Sequence, residues 1–564
     1  MTKIAGHSRL ASLAALCLAG TSLAADSDSA VLPSLKARVP KQVETRPAGI
    51  PGDAELAAQG ARIGEITINS RPLFDTNGPD QNTALFRLAN KLHIQTRDAT
   101  IAEQLLFRSG ELYDAQHLAE TGRILRDTRY LRDAWVTPTR YHDGVVDLEV
   151  LTQDVWTLNP GLSFGRRGGK NAGGLEFEEL NFLGLGTQLG IGFKSGIDRD
   201  SKSVFYRDRH LARSWWDLSA SYSDNSDCQL AAFSLAQPFY SLDARRAGGV
   251  FFSDDRRTDS RYDLGEIVDQ FETRERSATG YCGISQGLHD GWVTRYSAGF
   301  SYRELKFSPA PGKAAPLLLP GDRTLAYPWL ATEWVEDDFH TARNRDQIEK
   351  TEDYALGWRA RVQLGYASPS LGSDRNAVML NAQVADGVEL GDRQQLTLTA
   401  AVDGRLENGS IAGGILNVDA RYHLRQTPRR LFFMDLSASV GSHLDADRQI
   451  LLGGDNGLRG YPLRYQAGTG RWLFTAEQRW FTNWYPFQMF NVGGAIFYDM
   501  GETWGTDPLG TPSQGLLKDL GFGLRLGNSR SALGNVVHID VAFPLDGDSS
   551  IKNVQFVVET KRTF

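Results

Sequence analysis

Apolar and polar residues alternate with a period of two along much of the chain. Between 356 and 366, apolar or aromatic residues occupy the even positions, and glycine, arginine and glutamine occupy the odd ones. The same alternation recurs in five other segments: 216–222, 396–403, 432–440, 520–526 and 537–543. A period of two predicts β-strands with one apolar and one polar face.

A soluble sandwich and a membrane barrel both contain alternating strands, so the character of the two faces decides between them. The polar face combines Arg, Asp, Gln and Gly, as a wet lumen requires, and the apolar face carries aromatics near strand ends. We therefore predict a mainly β protein in which residues 159–564 form a transmembrane antiparallel β-barrel. At roughly 25 residues per strand, this stretch gives about 16 strands. Polar stretches at 253–276, 306–323 and 335–353 are predicted to be long extracellular loops.

The N-terminal residues are typical of an exported protein. Lys3 and Arg9 precede an apolar stretch, and Ser22-Leu23-Ala24 offers a cleavage site, so 1–24 is predicted to be a signal peptide. Four prolines then favour a flexible linker over 25–60.

Residues 61–158 predict one small α+β domain. A first strand covers Arg62–Asn69, and a capping box at Thr100 and Glu103 predicts a helix ending near Gly110. Asp114 is expected to cap a second helix. Two further strands, Ala134–Tyr141 and Val145–Leu151, form a hairpin across 142–144, and Pro138 marks the first of them as an edge or bulged strand.

Composition excludes several classes of function. The 564 residues carry a net charge of −7 with acids and bases interspersed, so no basic patch indicates a nucleic-acid partner. The histidines lack the spacing of metal ligands, and we expect no metal and no cofactor. Residues 283–287 fit the Gly-x-Ser-x-Gly pattern, but their flanks predict a strand and a turn rather than the strand and helix of a hydrolase. We expect no enzyme.

Two cysteines, Cys228 and Cys282, remain after signal cleavage. An oxidising compartment would permit a disulfide between them, and the sequence leaves open whether they meet.

Two segments carry a resemblance to a known family. The order strand–helix–helix–strand–strand directly before a barrel resembles the polypeptide-transport-associated (POTRA) domain. The segment Leu-Leu-Gly-Gly-Asp-Asn-Gly-Leu-Arg-Gly-Tyr at 451–461 resembles the sixth extracellular loop of the BamA/TamA outer-membrane assembly and two-partner secretion superfamily. The family's Val/Ile-Arg-Gly-Phe/Tyr element corresponds here to Leu458, Arg459, Gly460 and Tyr461, with leucine replacing the β-branched residue.

The resemblance implies an inward-folded loop around 444–471, in which Arg459 pairs with acids on the following strands. The matching acids are Glu477 and Asp499. Phe564 corresponds to the aromatic C-terminal signal of bacterial barrels, although Arg562 departs from the aromatic usual two residues earlier. Residues 181–186 resemble the family's first barrel hairpin, which implies a weak seam between the first and last strands.

The resemblance further implies a Gram-negative outer-membrane protein that inserts or translocates polypeptides, with its N-terminal domain in the periplasm. Its expected partners are unfolded outer-membrane or secreted polypeptides, the lipid bilayer and accessory periplasmic proteins. A partner-specific secretion pore and a passive channel or adhesin remain as alternatives. The sequence does not name the client or the resting state.

Overall fold

The computed structural model describes residues 46–78, 81–196, 199–510, 513–532, 536–549 and 551–561. The signal peptide, residues 25–45 of the predicted linker and Phe564 lie outside the described residues.

The N-terminal domain is a three-stranded sheet covered by helices. Its elements are α1 (Asp53–Ala58), β1 (Arg62–Arg71), α2 (Ala84–Leu92), α3 (Asp98–Ala102), α4 (Ala115–Arg126), β2 (Leu131–His142) and β3 (Val145–Asp154). The sheet order is β1-β3-β2, in which β3 runs parallel to β1 and antiparallel to β2. Leu56, Ile63, Leu125 and Val150 are fully buried in its core.

Most of the predicted elements of this domain are present. Asp114 caps α4 by accepting from the Gln116 N–H, and Pro138 lies on an edge strand beside a register shift. The predicted capping box is wrong, because Thr100 lies inside the short α3 and donates its hydroxyl to Gly184 O instead. The linker prediction is also wrong at its end: α1 forms there because Leu56 can enter the core. Helix α2 was not predicted.

The barrel follows directly. Its strands, with two short hairpins that lie outside the wall (β14/β15 and β21/β22), are β4 (Leu158–Arg167), β5 (Lys170–Phe182), β6 (Thr187–Ser195), β7 (Asp200–Asp208), β8 (Asp217–Asn225), β9 (Cys228–Gln237), β10 (Arg246–Asp263), β11 (Glu266–His289), β12 (Trp292–Pro309), β13 (Arg323–Glu336), β14 (Phe339–Ala342), β15 (Glu352–Ala355), β16 (Arg359–Ala367), β17 (Ala377–Gly391), β18 (Gln394–Glu407), β19 (Ser410–Thr427), β20 (Arg430–Ser442), β21 (Ile450–Leu452), β22 (Gln466–Gly468), β23 (Gly470–Phe481), β24 (Phe490–Trp504), β25 (Leu517–Asn528), β26 (Val536–Pro544) and β27 (Gln555–Lys561). Each wall strand pairs antiparallel with the next, and β27 returns to β4, so the sheet is closed.

The alternation of the strands matches their exposure. On β16, Val362, Leu364 and Tyr366 are exposed, as expected for side chains that face lipid, whereas the charged residues of β26 and β25, Asp540 and Arg525, are fully buried inside.

The barrel has 20 strands, so the prediction of about 16 was wrong. Tight connections account for the difference, because turns such as 264–265, 290–291 and 408–409 use far less chain than the long loops assumed. The stretch 253–276 is not a loop: it is the paired end of β10 and β11, where Arg257 bonds Asp255 and Glu275. The loop after β13, 337–358, lies at the end of the barrel that contacts the N-terminal domain.

The two cysteines are free. Cys228 pairs across the sheet with Arg257 of β10, whereas Cys282 pairs with Gly248 of the same strand. Because these partners are nine positions apart, the sulfurs are separated by roughly 30 Å of strand, and no disulfide forms.

Within the described residues, no helix is long and apolar enough to cross a membrane.

Candidate functional site

The loop between β20 and β23 folds into the barrel. Its short hairpin, β21 paired with β22, leads into a turn in which Leu458 and Tyr461 are fully buried. They pack with Leu452, Tyr465, Leu517 and Ile551 in one apolar cluster. The burial of these side chains fixes the loop inside the lumen and positions the arginine between them.

Arg459 lies at the tip of this loop and is 6% exposed. Its Nε and Nη2 donate to the two oxygens of Asp499, at 2.7 and 2.8 Å, and its Nη1 donates to Glu477 Oε1 at 2.7 Å. The guanidinium also lies 3.4 Å from the ring centroid of Phe497. The structure thus brings together the loop arginine and both acids that the sequence singled out, in the bidentate geometry that a buried guanidinium needs.

Further charged residues, not identified from the sequence, surround this cluster. Asp540 Oδ2 lies 3.9 Å from Arg459 Nη1, and Asp540 is itself bonded to Arg525. Asp519 is also fully buried next to the loop. The alternation of β25 and β26 places these three residues on the polar face, which is the signal that could have identified them.

Gly460 and Tyr461 fit the loop against the last strands. A Cβ on Gly460 would lie 2.6 Å from the Cβ of Asp519, so only glycine fits without displacement. The Tyr461 hydroxyl donates to Lys518 O at 2.7 Å and accepts from Lys518 N at 3.1 Å. Each residue of the motif therefore has its own role. Leu458 is buried in the apolar cluster, Arg459 binds the two acids, Gly460 lets the loop backbone pack against Asp519, and Tyr461 hydrogen-bonds the backbone of Lys518.

The seam between β27 and β4 has far fewer registered pairs than its neighbours. Among the described residues it contains one registered pair, Val558 with Arg166. The adjacent pairings hold seven pairs between β26 and β27 and ten between β4 and β5. An ion pair between Arg167 and Glu559, at 3.5 Å, lies beside it.

The inward loop touches both sides of this seam. On one side, a Cβ on Gly168, in the turn after β4, would lie 2.5 Å from the Leu463 nitrogen. On the other side, Tyr461 and Tyr465 bond the segment after β26, at Asp546 O and Asp548 Oδ2. The loop therefore bridges the first hairpin and the last strands.

A second segment, residues 343–349, enters the lumen from the end that contacts the N-terminal domain. We call it the mouth segment. Its backbone carbonyls accept from Arg425 of β19, Arg479 of β23 and Asn491 of β24, so it crosses the barrel mouth. Ile348 is buried against Leu431, Phe481, Ala495 and Val536.

Arg479 joins the two inward segments. Its Nε donates to Glu477 Oε2 at 2.8 Å, and Glu477 also holds Arg459. Its Nη1 lies 3.4 Å from Asp346 Oδ1 in the mouth segment. A continuous chain of charges therefore runs from Arg459 through Glu477 and Arg479 to Asp346.

Glu352, at the start of β15, accepts hydrogen bonds from the backbone N–H groups of Arg345 and Asp346. Burial and the neighbouring Asp346 carboxylate raise the pKa of Glu352 to about 7. Since the folded segment holds this proton more tightly than the free carboxyl does, its stabilising contribution is complete below the ordinary pKa of 4.5 and is lost as pH rises through about 7. Arg425 and Lys350 are nearby positive charges that oppose this loss.

We therefore expect the mouth segment to loosen between pH 6 and pH 8, a range set by that pKa. Proteolysis of 343–358 in the intact protein should become faster across this range. Glu352→Gln, which cannot ionise, should keep the low-pH rate throughout. A wild-type rate that is independent of pH would contradict the assignment.

Comparison with models of known protein families shows to which family the chain belongs. A sequence model of the Omp85 superfamily domain matches residues 181–561, roughly two thirds of the chain. The chain belongs to the Omp85 superfamily. Its closed antiparallel barrel is accordingly that of an outer-membrane protein. Comparison with curated protein sequences finds no match.

Solved structures resemble this Omp85 protein at low identity. BamA from Haemophilus ducreyi lacking POTRA domains 1–3 is 13% identical, with a TM-score of 0.37, over 89% of this chain and 85% of that one. CdiB from Acinetobacter baumannii is 14% identical, with a TM-score of 0.43, over 89% and 73%. CdiB from Escherichia coli is 13% identical, with a TM-score of 0.45, over 90% and 77%.

The Omp85 match includes the inward loop, Glu477 and Asp499, and it begins at Asn181. It leaves out β4 and the N-terminal domain.

Proposed function

We propose that this Omp85 protein inserts or translocates polypeptides at the outer membrane, with the seam between β27 and β4 as the site where a client strand enters or leaves. The observation that carries the proposal is that the described residues of the seam form one registered pair, against seven and ten in the pairings on either side. No catalytic step is proposed.

The energetics of strand pairing support this role. A backbone group without a partner costs several kcal/mol in lipid, so a poorly paired edge gains free energy by accepting a new strand. Among the described residues, every other wall pairing holds at least seven registered pairs, so the seam is the poorly paired edge of that part of the barrel. A client strand would thus add to the seam by the same backbone hydrogen bonds that join the wall.

The lumen supports a lateral route over a passive axial channel. The inward loop fills one end and the mouth segment crosses the other, and Arg479 links the two. A chain moving straight through the barrel would have to displace both segments and the link that Arg479 makes between them. Opening the seam breaks one registered backbone pair among the described residues, together with the contacts that flank the seam at its two ends.

The N-terminal domain provides a place for a client to dock. Its strand β1 is an edge strand, whose outer side is bonded to the segment 110–111 at Ile63. Past an irregularity between Ile63 and Ile66, the strand from Ile66 to Arg71 pairs in regular register with β3, and this extended stretch is the edge that β-augmentation would use. We assign this POTRA-like domain to the periplasm, where clients and accessory proteins would reach it.

A reversible crosslink tests the proposal. In a background carrying Cys228→Ser and Cys282→Ser, the registered partners Arg166 and Val558 are both replaced by cysteine. Oxidation should then abolish insertion of an unfolded outer-membrane barrel into proteoliposomes, and a reductant should restore it, because the seam can no longer open.

The matched control joins β26 and β27 through Val541→Cys and Phe556→Cys, which are registered partners in a continuous pairing. Oxidation of this pair should leave insertion unchanged. If the oxidised protein, with its seam locked, inserts the client as fast as the same protein after reduction, clients do not use the seam and the proposal is wrong.

A further inference from the structure

Helix α2 presents an apolar face that no part of the described protein covers. Leu85, Leu88 and Leu92 are 69%, 51% and 62% exposed, and Ile94, just after the helix, is 41% exposed. The spacing i, i+3, i+7 puts the three leucines on one side of the helix.

The side of α2 opposite the leucines packs against Phe74, and these contacts fix the orientation of the helix. The Phe86 ring stacks on Phe74 with centroids 4.2 Å apart. Asn90 accepts from Phe74 N at 2.9 Å and donates to Phe74 O at 2.8 Å, and Thr83 caps the first turn. Because these contacts hold the polar and aromatic side inward, the leucines cannot rotate into the domain.

The helix lies next to the wall of the barrel at the seam. Arg97, five residues after α2, donates its Nε to Leu183 O, and its backbone N–H donates to Gly184 O, in the turn between β5 and β6. On the other side, Leu73 O accepts from Arg530, in the turn between β25 and β26. The strands between these two turns include β27 and β4.

The segment after α2 is bonded to a turn at the edge of the barrel's lipid-facing belt. Exposed apolar residues occupy the outer face of β5 and β6, at Leu175, Phe177, Ile191 and Phe193, and continue into the turn at Phe182, Leu183 and Leu185. That turn is the one to which the segment after α2 is bonded. The chain therefore leads from the exposed leucines of α2 to a turn whose exposed apolar side chains extend the lipid-facing belt.

The charges of the helix fit a bilayer surface. Arg87 and Lys91 lie beside the leucines, and α2 contains no acidic residue. Amphipathic helices of this kind lie in the interface, with leucines in the acyl boundary and bases among the headgroups.

We propose that the apolar face of α2 binds the surface of the lipid bilayer beside the seam, and so anchors the N-terminal domain to the membrane below the β27–β4 edge. The occupant is lipid rather than a protein partner, because the segment after the face is bonded to the turn at which the lipid-facing belt of the barrel ends, and because α2 carries basic and no acidic residues. The inference requires a membrane-embedded barrel and does not depend on the proposed function.

Site-directed fluorescence tests the proposal in the full-length protein. Leu88→Cys and Arg87→Cys, each in the background without Cys228 and Cys282, are labelled with an environment-sensitive dye and placed in vesicles of phosphatidylethanolamine and phosphatidylglycerol. Both positions are exposed, so neither label disturbs the core. Spin-labelled lipid should quench the dye at 88 about threefold more than the dye at 87, as expected for a helix lying in the interface.

A second variant separates lipid contact from local structure. Adding Leu85→Gln and Leu92→Gln to the labelled Leu88→Cys protein should reduce quenching at 88 to the level seen at 87. Equal, weak quenching at 87 and 88 in the starting proteins would overturn the proposal. So would shielding of the dye at 88 that appears only after an unfolded polypeptide is added, because the face would then bind a client.

Discussion

Arg459→Ala should reduce the free energy of unfolding of the barrel by about 3–5 kcal/mol, the cost of removing one partner from a buried ion pair. The substitution leaves the carboxylates of Glu477 and Asp499 buried without the guanidinium that both of them bind, so their mutual repulsion is no longer offset by that cation. Urea unfolding of the lipid-embedded barrel, followed by its heat-dependent mobility on a gel, measures the loss. The variant should still reach the membrane, and its insertion of clients should fall because the inward loop no longer holds the last strands.

Two further substitutions separate the pairing from charge in general. Arg421→Ala removes a lumen arginine that is half exposed and paired with Asp419 at 3.0 Å, so its effect should stay below about 1 kcal/mol. Gly460→Ala keeps Arg459 but crowds Asp519, and it should weaken the seating of the loop in the same direction as Arg459→Ala. Wild-type stability and insertion in Arg459→Ala would show that the cluster is an ordinary set of pore charges.

Replacing the mouth segment, 343–349, with seven glycines and serines should open the end of the lumen that this segment crosses, while the inward loop stays in place at the other end. The segment bonds β19, β23 and β24 across the lumen, and a barrel of this size without internal segments holds a water-filled pore. Conductance across a planar bilayer should rise on the order of tenfold, as expected when a barrel wider than a 16-stranded porin loses its plug.

His340→Ala is the matched control for this measurement. Its imidazole bonds Asp338 within the same loop, at 2.7 Å, and does not reach the barrel wall through that contact. Conductance should remain at the wild-type level. A segment replacement that leaves conductance unchanged would mean that the inward loop alone closes the lumen.

The sequence predicted the barrel well because a wall between lipid and water imposes strict alternation. Val362, Leu364 and Tyr366 followed directly from this period. The strand number did not follow, because polar residues at strand ends look like loop residues. Arg257 and its acidic neighbours form ion pairs across β10 and β11, and nothing local distinguishes that arrangement from a loop.

The charge cluster around Arg459 could be predicted only in part, because some of its members lie far from the motif in sequence. The motif at 458–461 is local, and its resemblance to the family's loop implied that Arg459 pairs with Glu477 and Asp499 on the following strands. Asp346 could not, because it reaches Arg479 from a loop more than a hundred residues away in sequence. Helix α2 was not predicted, although Leu85, Leu88 and Leu92 follow the helical spacing i, i+3, i+7 that signals an amphipathic helix.

Two sets of contacts, here called clasps, hold the seam closed. The inward loop forms the first at one end of the barrel, and the N-terminal domain forms the second at the other end through Leu183, Gly184 and Arg530. Parting the edges fully demands that both clasps release together. If each is undone about 1% of the time and independently, the joint event occurs about once in 10⁴. Spontaneous opening of the seam is therefore rare. A client polypeptide that binds at both sets of contacts would release them together and so open the seam far more often.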